Sequence, residues 1–350
     1  GEWAGLVRTG LRDAVQRWSL SDVPIGCSLS GGLDSSSIVG LLAESGHSKL
    51  KTYSLGFEGA AELDELPLAR KVAERWGTDH HELILRPDDL LRDLLHMVWS
   101  LDEPYGGGLP SWYVFQFMHQ DVKVGMTGTG GDELFGDYGR YIGLERQLAG
   151  RQAGPARSQV SDWLEGCWPL VSSLVDRLPH GVGGLRSRER WRHWPQVGRD
   201  PFRWEYVQAF YYCSDDMKRN EVLSNGGSAG STGTTEFLRS LYEESDGTFP
   251  RDGLMQLTMR TQLPEEFLFM TDRFSMAHSL EARVPFLDQA FVDLMLRIPA
   301  EIRTKPDDPK YLLRQAVRDL LPGELLNAPK RGFVIPTAEW LRGSLRPLTE

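Results

Sequence analysis

Apolar and polar positions alternate in two rhythms along roughly the first 145 residues. Residues 3–19 place Leu6, Val7, Leu11, Val15 and Trp18 at helical spacing, which predicts an amphipathic helix. Ile25, Cys27 and Leu29 then alternate as on a strand, and Ile38-Val39-Gly40-Leu41-Leu42 has the apolar spacing of a buried helix. Residues 51–57 read as a second strand, 65–76 as a helix stopped by Gly77, and 81–85 as a third strand. Asp88 is expected to cap a helix carrying Leu90, Leu91, Leu94, Leu95 and Val98. A glycine break at 106–108 precedes an aromatic helix over 110–120, and 122–127 is a fourth strand. Strands alternating with helices of this length predict an α/β fold, a parallel sheet with flanking helices.

Beyond about residue 145 the rhythm changes. Residues 146–200 are rich in Arg, Trp and Gly at irregular spacing, and 225–235 read as a flexible surface loop. From Asp252 onward the pattern is helical, over 254–262, 265–281, 289–298, 309–321 and 338–342. The expected organisation is therefore an α/β core over 1–145 and a mainly helical lobe over 146–350.

The candidate chemistry lies where strands end. Ser30-Gly31-Gly32-Leu33-Asp34-Ser35-Ser36 joins the first strand to the next helix. Free N–H groups and the positive end of a helix dipole point outward at such a turn, so the stretch is an anion cradle. It matches neither GxxxxGK[ST] nor GxGxxG. A carboxylate beside phosphates needs a cation between them, so Asp34 implies Mg²⁺. Thr127-Gly128-Thr129-Gly130-Gly131-Asp132-Glu133 follows the fourth strand with the same logic. Asp132 either completes a magnesium site with Asp34 or, with Glu133, opens the next helix. Ligands of parallel sheets bind beyond the carboxyl ends of the strands, so both stretches should face one cleft.

These two stretches, with residues 275–288 (SMAHSLEARVPFLD) and Lys310-Tyr311-Leu312-Leu313-Arg314, resemble in content and order the synthetase domain of glutamine-dependent asparagine synthetases. That family belongs to the ATP pyrophosphatases, which cleave between the α and β phosphates. The resemblance implies an adenine nucleotide α-hydrolase-like fold, with ATP and Mg²⁺ as cofactors. It implies backbone contacts to adenosine at Leu29, Leu55 and Gly128, with Thr127 in the same ATP-binding stretch. Ser30, Gly31, Gly32, Asp34, Ser35 and Ser36 would hold pyrophosphate, and Lys310 would neutralise the α phosphate and the reacting acyl centre. Lys305 is the alternative lysine. Arg273, Glu281 and Arg283, grouped with Asp272 and His278, would hold a substrate carboxylate or form an internal ion-pair network.

Thr129 departs from the family pattern, which has an acidic residue there. A hydroxyl has no useful pKa near neutrality and cannot act as a general base; Glu133 or Glu103 are the nearby substitutes. The implied reaction is asparagine synthesis from aspartate through a β-aspartyl-AMP intermediate, with release of AMP and pyrophosphate. Ammonia would come from a glutaminase domain that this chain lacks. The alternatives are an adenylating enzyme with another amine, of the β-lactam synthetase, lasso-peptide cyclase or secondary-metabolite amidase kind, and a silent nucleotide-binding partner.

Composition narrows the partners. A net charge of −10 argues against broad nucleic-acid binding, which needs basic surface. No apolar run reaches transmembrane length. Cys27, Cys167 and Cys213 are isolated, without metal-ligand or disulfide spacing, as in a cytoplasmic protein. A homodimer is compatible with this reading.

Overall fold

The computed structural model describes residues 1–47, 49–60, 65–103, 107–136, 141, 145, 202, 233–245, 250–329 and 335–348. The chain forms two compact units, residues 1–137 with 259–350, and residues 138–258. The expected division at 145 falls close to the first of these breaks, while 259–350 returns to the unit that holds the sheet.

In the first unit, helix α1 (Glu2–Trp18) precedes strand β1 (Ile25–Ser28) and helix α2 (Leu33–Glu44). Strand β2 (Lys51–Phe57), α3 (Leu66–Trp76) and β3 (Asp79–Leu85) follow, then α4 (Pro87–Leu101) and α5 (Leu109–Met118). Strand β4 (Val124–Met126) runs into the short helix α6 (Gly131–Phe135). The sheet is parallel throughout, in the order β3-β2-β1-β4-β5, where β5 is Glu281–Arg283. From β1 the chain moves outward to β2 and β3, then returns to β4 on the other side. The connections leaving β1 and β4 therefore diverge, and that is where parallel sheets open a crevice.

Alternation along the strands sorts the core into two layers. Cys27, Leu29 and Met126 pack with Val7 and Leu11 of α1, Ile38 and Leu41 of α2, and Leu312, Leu313 and Leu320 near the C-terminus. Tyr53 and Leu55 pack on the other layer with Trp112, Phe115, Phe274 and Leu280. The C-terminal helices complete the first layer, which is why 259–350 belongs to the sheet's unit.

Several local expectations change. Residues 281–283 form an edge strand paired with β4 through Gly125↔Ala282, not the end of a long helix. The stretch 265–281 divides into a π-helical turn (Leu263–Leu268) opening around Pro264 and an α-helix (Phe269–Ala277). Helix α4 starts one residue before Asp88: Arg86 is its N-cap, and the Arg86 N–H donates to Asp89 Oδ2 at 3.0 Å. The helix expected over 309–321 spans Tyr311–Ala316. Of the loop expected over 225–235, residues 233–235 begin helix Gly233–Glu243, and the remainder lies outside the described residues, as does 146–200. In the second unit the Tyr141 hydroxyl donates to Thr258 Oγ1 at 2.6 Å, and Arg251 pairs with Glu145. Among the described residues no helix is long and apolar enough to cross a membrane.

Candidate nucleotide and acyl-transfer site

The first loop leaves β1 and enters α2 at Gly32. Gly31 has φ 79°, and a Cβ there would lie 2.7 Å from the Glu65 carbonyl oxygen, so only glycine fits this turn. The Ser30 N–H donates to Ser35 Oγ at 3.1 Å, the Gly32 N–H donates to Ser30 Oγ at 3.2 Å, and the two hydroxyls lie 3.0 Å apart. These contacts hold the loop in shape. The Ser36 Oγ is buried and has no hydrogen-bond partner among the described residues. An orphaned hydroxyl of this kind fits a loop built to receive an oxyanion.

The second loop leaves β4 and packs directly on the first. A Cβ on Gly131 would fall 2.5 Å from Asp34 Cγ, and one on Gly128 would fall 2.9 Å from Asp34 Cβ. Both glycines are bare so that the Asp34 side chain can lie against the second loop's backbone. The Thr127 N–H donates to the Arg283 carbonyl at 2.9 Å, so β5 anchors the start of the loop. The Thr127 and Thr129 hydroxyls are 3.1 Å apart, and Glu133 is buried.

Lys310 closes the arrangement. It is the N-cap of helix Tyr311–Ala316, has the left-handed φ of 57°, and is 4% exposed. Such a backbone is costly for a long side chain and persists where the surroundings hold it. Arg314 supplies the hold: it donates to Asp308 Oδ1 at 3.0 Å and to the Pro309 carbonyl at 3.2 Å. Lys310 Nζ bonds to Asp34 Oδ2 and lies 2.5 Å from Asp132 Oδ1. Lys305 Nζ instead sits over the Tyr311 ring, 3.5 Å from its centroid, which separates the two candidate lysines.

Two carboxylates thus converge on one cationic position at the mouth of both loops. That donor set suits Mg²⁺, which is commonly held by one or two carboxylates with the remaining positions filled by phosphate and water. No group of three or more His, Cys, Asp or Glu with metal-binding geometry occurs among the described residues.

Backbone edges complete the cradle. The Leu29 N–H donates to the Tyr53 carbonyl at 2.8 Å, and the Ser54 hydroxyl donates to the Leu29 carbonyl. The β1–β2 ladder ends at Ser28↔Tyr53, whereas β2 continues to Phe57. Peptide groups two residues apart on a strand point the same way. Leu55 therefore turns its N–H and C=O, like those of Tyr53, toward the side on which β1 has stopped.

The second charged group comes together only in the pair of Arg283 with Glu281. The Arg283 guanidinium donates to the Trp18 and Leu20 carbonyls at 2.7 Å each, and to Glu281 Oε1 at 2.8 Å. It caps the end of α1. Arg273 is exposed and lies over Phe269, 5.2 Å from the ring centroid. His278 packs against Trp112 at 4.3 Å between centroids, and burial, aided by His119, pushes its pKa down to about 4. Asp272 and Glu103 are exposed. The Cys27 thiol has its pKa pushed up by burial, in keeping with a small core residue. Sequence reasoning passed over Ser54 and gave Gly131 no role of its own. The doubled glycine immediately before Asp132 was the available signal for the latter.

A parallel α/β sheet whose switch-point loops gather two carboxylates and a lysine defines a domain of nucleotide-binding type. A family profile described as asparagine synthase matches residues 6–350, and the chain belongs to that family. Asparagine synthetase [glutamine-hydrolyzing] 1 of Bacillus subtilis is 30% identical over 342 residues, covering 97% of this chain and 50% of the relative. A putative asparagine synthetase [glutamine-hydrolyzing] of Mycobacterium tuberculosis is 31% identical over 343 residues, covering 95% of this chain and 48% of the relative. Amidase chry2 of Gibberella zeae is 24% identical over 381 residues, covering 97% and 53%. The chain spans about half the length of the curated relatives it matches.

Proposed function

We propose that this chain is the ATP-consuming, amide-forming half of an asparagine synthetase. The observation that carries the reading is the meeting of Lys310 with Asp34 and Asp132 at the mouth of both glycine-rich loops. The N–H groups at the start of α2 and the hydroxyls of Ser30, Ser35 and Ser36 receive the β and γ phosphates. Adenosine lies against the main chain at Leu29, Leu55 and Gly128. Asp34 and Asp132 would hold Mg²⁺, which when bound neutralises phosphate charge and orients the leaving pyrophosphate.

The β-carboxylate of aspartate attacks the α phosphate, a P–O bond forms, and pyrophosphate leaves with the electrons of the broken bond. Lys310 places a positive charge where the α phosphate and then the acyl oxygen develop negative charge. Ammonia attacks the acyl carbon, loses a proton to solvent or a nearby base, and AMP departs. Most of the acceleration then comes from positioning and fixed charge. Ammonia comes from a glutamine-hydrolysing domain or partner, a role supported by the names and the doubled length of the relatives. A cytoplasmic location and a homodimer are consistent with this reading.

Thr129 favours a second reading. Its hydroxyl can donate or accept a hydrogen bond but cannot take the proton of an attacking amine at neutral pH. The same adenylation would then serve another acid or amine, and the similarity to amidases supports that variant.

The test is to incubate the chain with ATP, Mg²⁺, aspartate and ammonium, and to quantify AMP and asparagine by mass spectrometry. Equal amounts of the two support asparagine synthesis. AMP without asparagine transfers the reading to another acid or amine. ATP binding without AMP makes the chain a silent nucleotide-binding partner.

A further inference from the structure

We infer that Lys310 is the resident counter-ion of the Asp34–Asp132 pair in the nucleotide-free chain, keeps a divalent cation out of that position, and yields it only when metal arrives with nucleotide. This deepens the function proposed above, since it rests on Asp34 and Asp132 forming the metal pair.

Three features support it. The Lys310 ammonium contacts both carboxylates at once, and its side chain is 5% exposed against 19% for Asp34 and 30% for Asp132. Two carboxylates brought to one point repel each other unless a cation lies between them. Here the chain supplies that cation itself.

Asp34 is also a fixed partner. Asp34 is pressed on Gly131, where an added Cβ would lie 2.6 Å from Oδ1, and on Gly128. The backbone at Lys310 is equally held, by its left-handed turn and by Arg314. The part of the assembly that can move is the flexible four-carbon stem of the lysine. Exchange therefore takes the form of Nζ swinging off the carboxylates while metal and phosphates take its place. The same motion delivers the ammonium toward the anionic substrate. Phosphate charge is the differential interaction that drives the swing, because bare metal offers the lysine no new partner.

The probe is Mn²⁺ alone, titrated into the nucleotide-free chain, with unbound ion counted by electron paramagnetic resonance. Lys310→Met, similar in length but uncharged, is expected to bind one Mn²⁺ at least about tenfold more tightly than the unaltered chain, the effect of deleting one neighbouring positive charge. The gain is expected to disappear in the double variant Lys310→Met/Asp132→Asn. Equal affinities in the single variant and the unaltered chain overturn the inference, as does a gain that survives loss of Asp132.

If Lys310→Met does not fold, thermal unfolding of the unaltered chain decides. Mn²⁺ alone is expected to leave the unfolding temperature where a chelator leaves it. A rise that Asp132→Asn abolishes would show metal entering against the lysine and overturn the exclusion. Neither measurement uses turnover. A tighter Mn²⁺ site in a chain that makes no AMP would remove the ligase reading while leaving the counter-ion in place.

Discussion

Two charged groups stand out along this chain, and folding treats them in opposite ways. Asp34 and Lys310 are 276 positions apart and meet, with Asp132 alongside. Asp272, Arg273, His278, Glu281 and Arg283 lie within a dozen positions and, apart from the Arg283–Glu281 pair, disperse. Arg273 goes to Phe269, His278 to Trp112, and Arg283 to the end of α1. The difference is topological. Asp34 and Asp132 come from loops at the carboxyl ends of the adjacent parallel strands β1 and β4, which the sheet aims at one point, and Lys310 reaches that point from the start of helix Tyr311–Ala316. The second straddles a helix end and an edge strand, where successive side chains turn to different neighbours. Closeness in sequence is a weak guide to a site, and closeness at strand ends is a better one.

The largest expected effect tests the convergent group. Lys310→Ala is expected to lower AMP formation by about two to three orders of magnitude, the usual cost of losing a charge aimed at a transition state. Asp34→Asn should do the same, with circular dichroism unchanged in any variant that counts. An equal loss on Arg283→Ala would erase the contrast between the groups.

Gly131→Ala comes next. Its new methyl meets Asp34, so ATP binding measured by calorimetry should fall, and stability should drop by roughly 1–3 kcal/mol as for other overpacked sites. Arg283→Ala should leave AMP formation per folded molecule near its original value. It should destabilise the chain by roughly 1–3 kcal/mol in urea unfolding, because the Trp18 and Leu20 carbonyls lose a charged donor.

The smallest effect is expected at His278, whose folded pKa lies near 4. A histidine held neutral by burial binds fewer protons when folded than when unfolded. Its contribution therefore weakens stability as pH falls from about 6.5, the unfolded value, toward 4. His278→Leu should flatten the pH dependence of the unfolding temperature across that window, with no change in activity at pH 7.

Much of this fold could be read from the sequence, because its core strands are buried and its helices amphipathic. Residues 51–57 form β2 with the expected bounds, and Gly77 ends α3 in the left-handed conformation. β5 could not be read. Glu281-Ala282-Arg283 has no apolar alternation, and only its pairing with β4 makes it a strand. The break expected between 262 and 265 falls at Pro264, but nothing in the spacing after it marks the first turn as π-helical. In the site, both glycine-rich loops were legible because their residue types are rare in that order. That Lys310 reaches the acids while Lys305 turns to the Tyr311 ring depends on a meeting with Asp34 across 276 positions, which no local pattern reports.

The early stop of β1 has a consequence of its own. If adenine sits against the open edge of β2 at Leu55, the choice of nucleobase is written in strand length and not in side chains. Substitutions at 29 or 55 that preserve the core would then leave base preference unchanged. Lengthening β1 by a single paired residue would seal that edge, and a catalyst would become a closed sheet without any reactive group being altered.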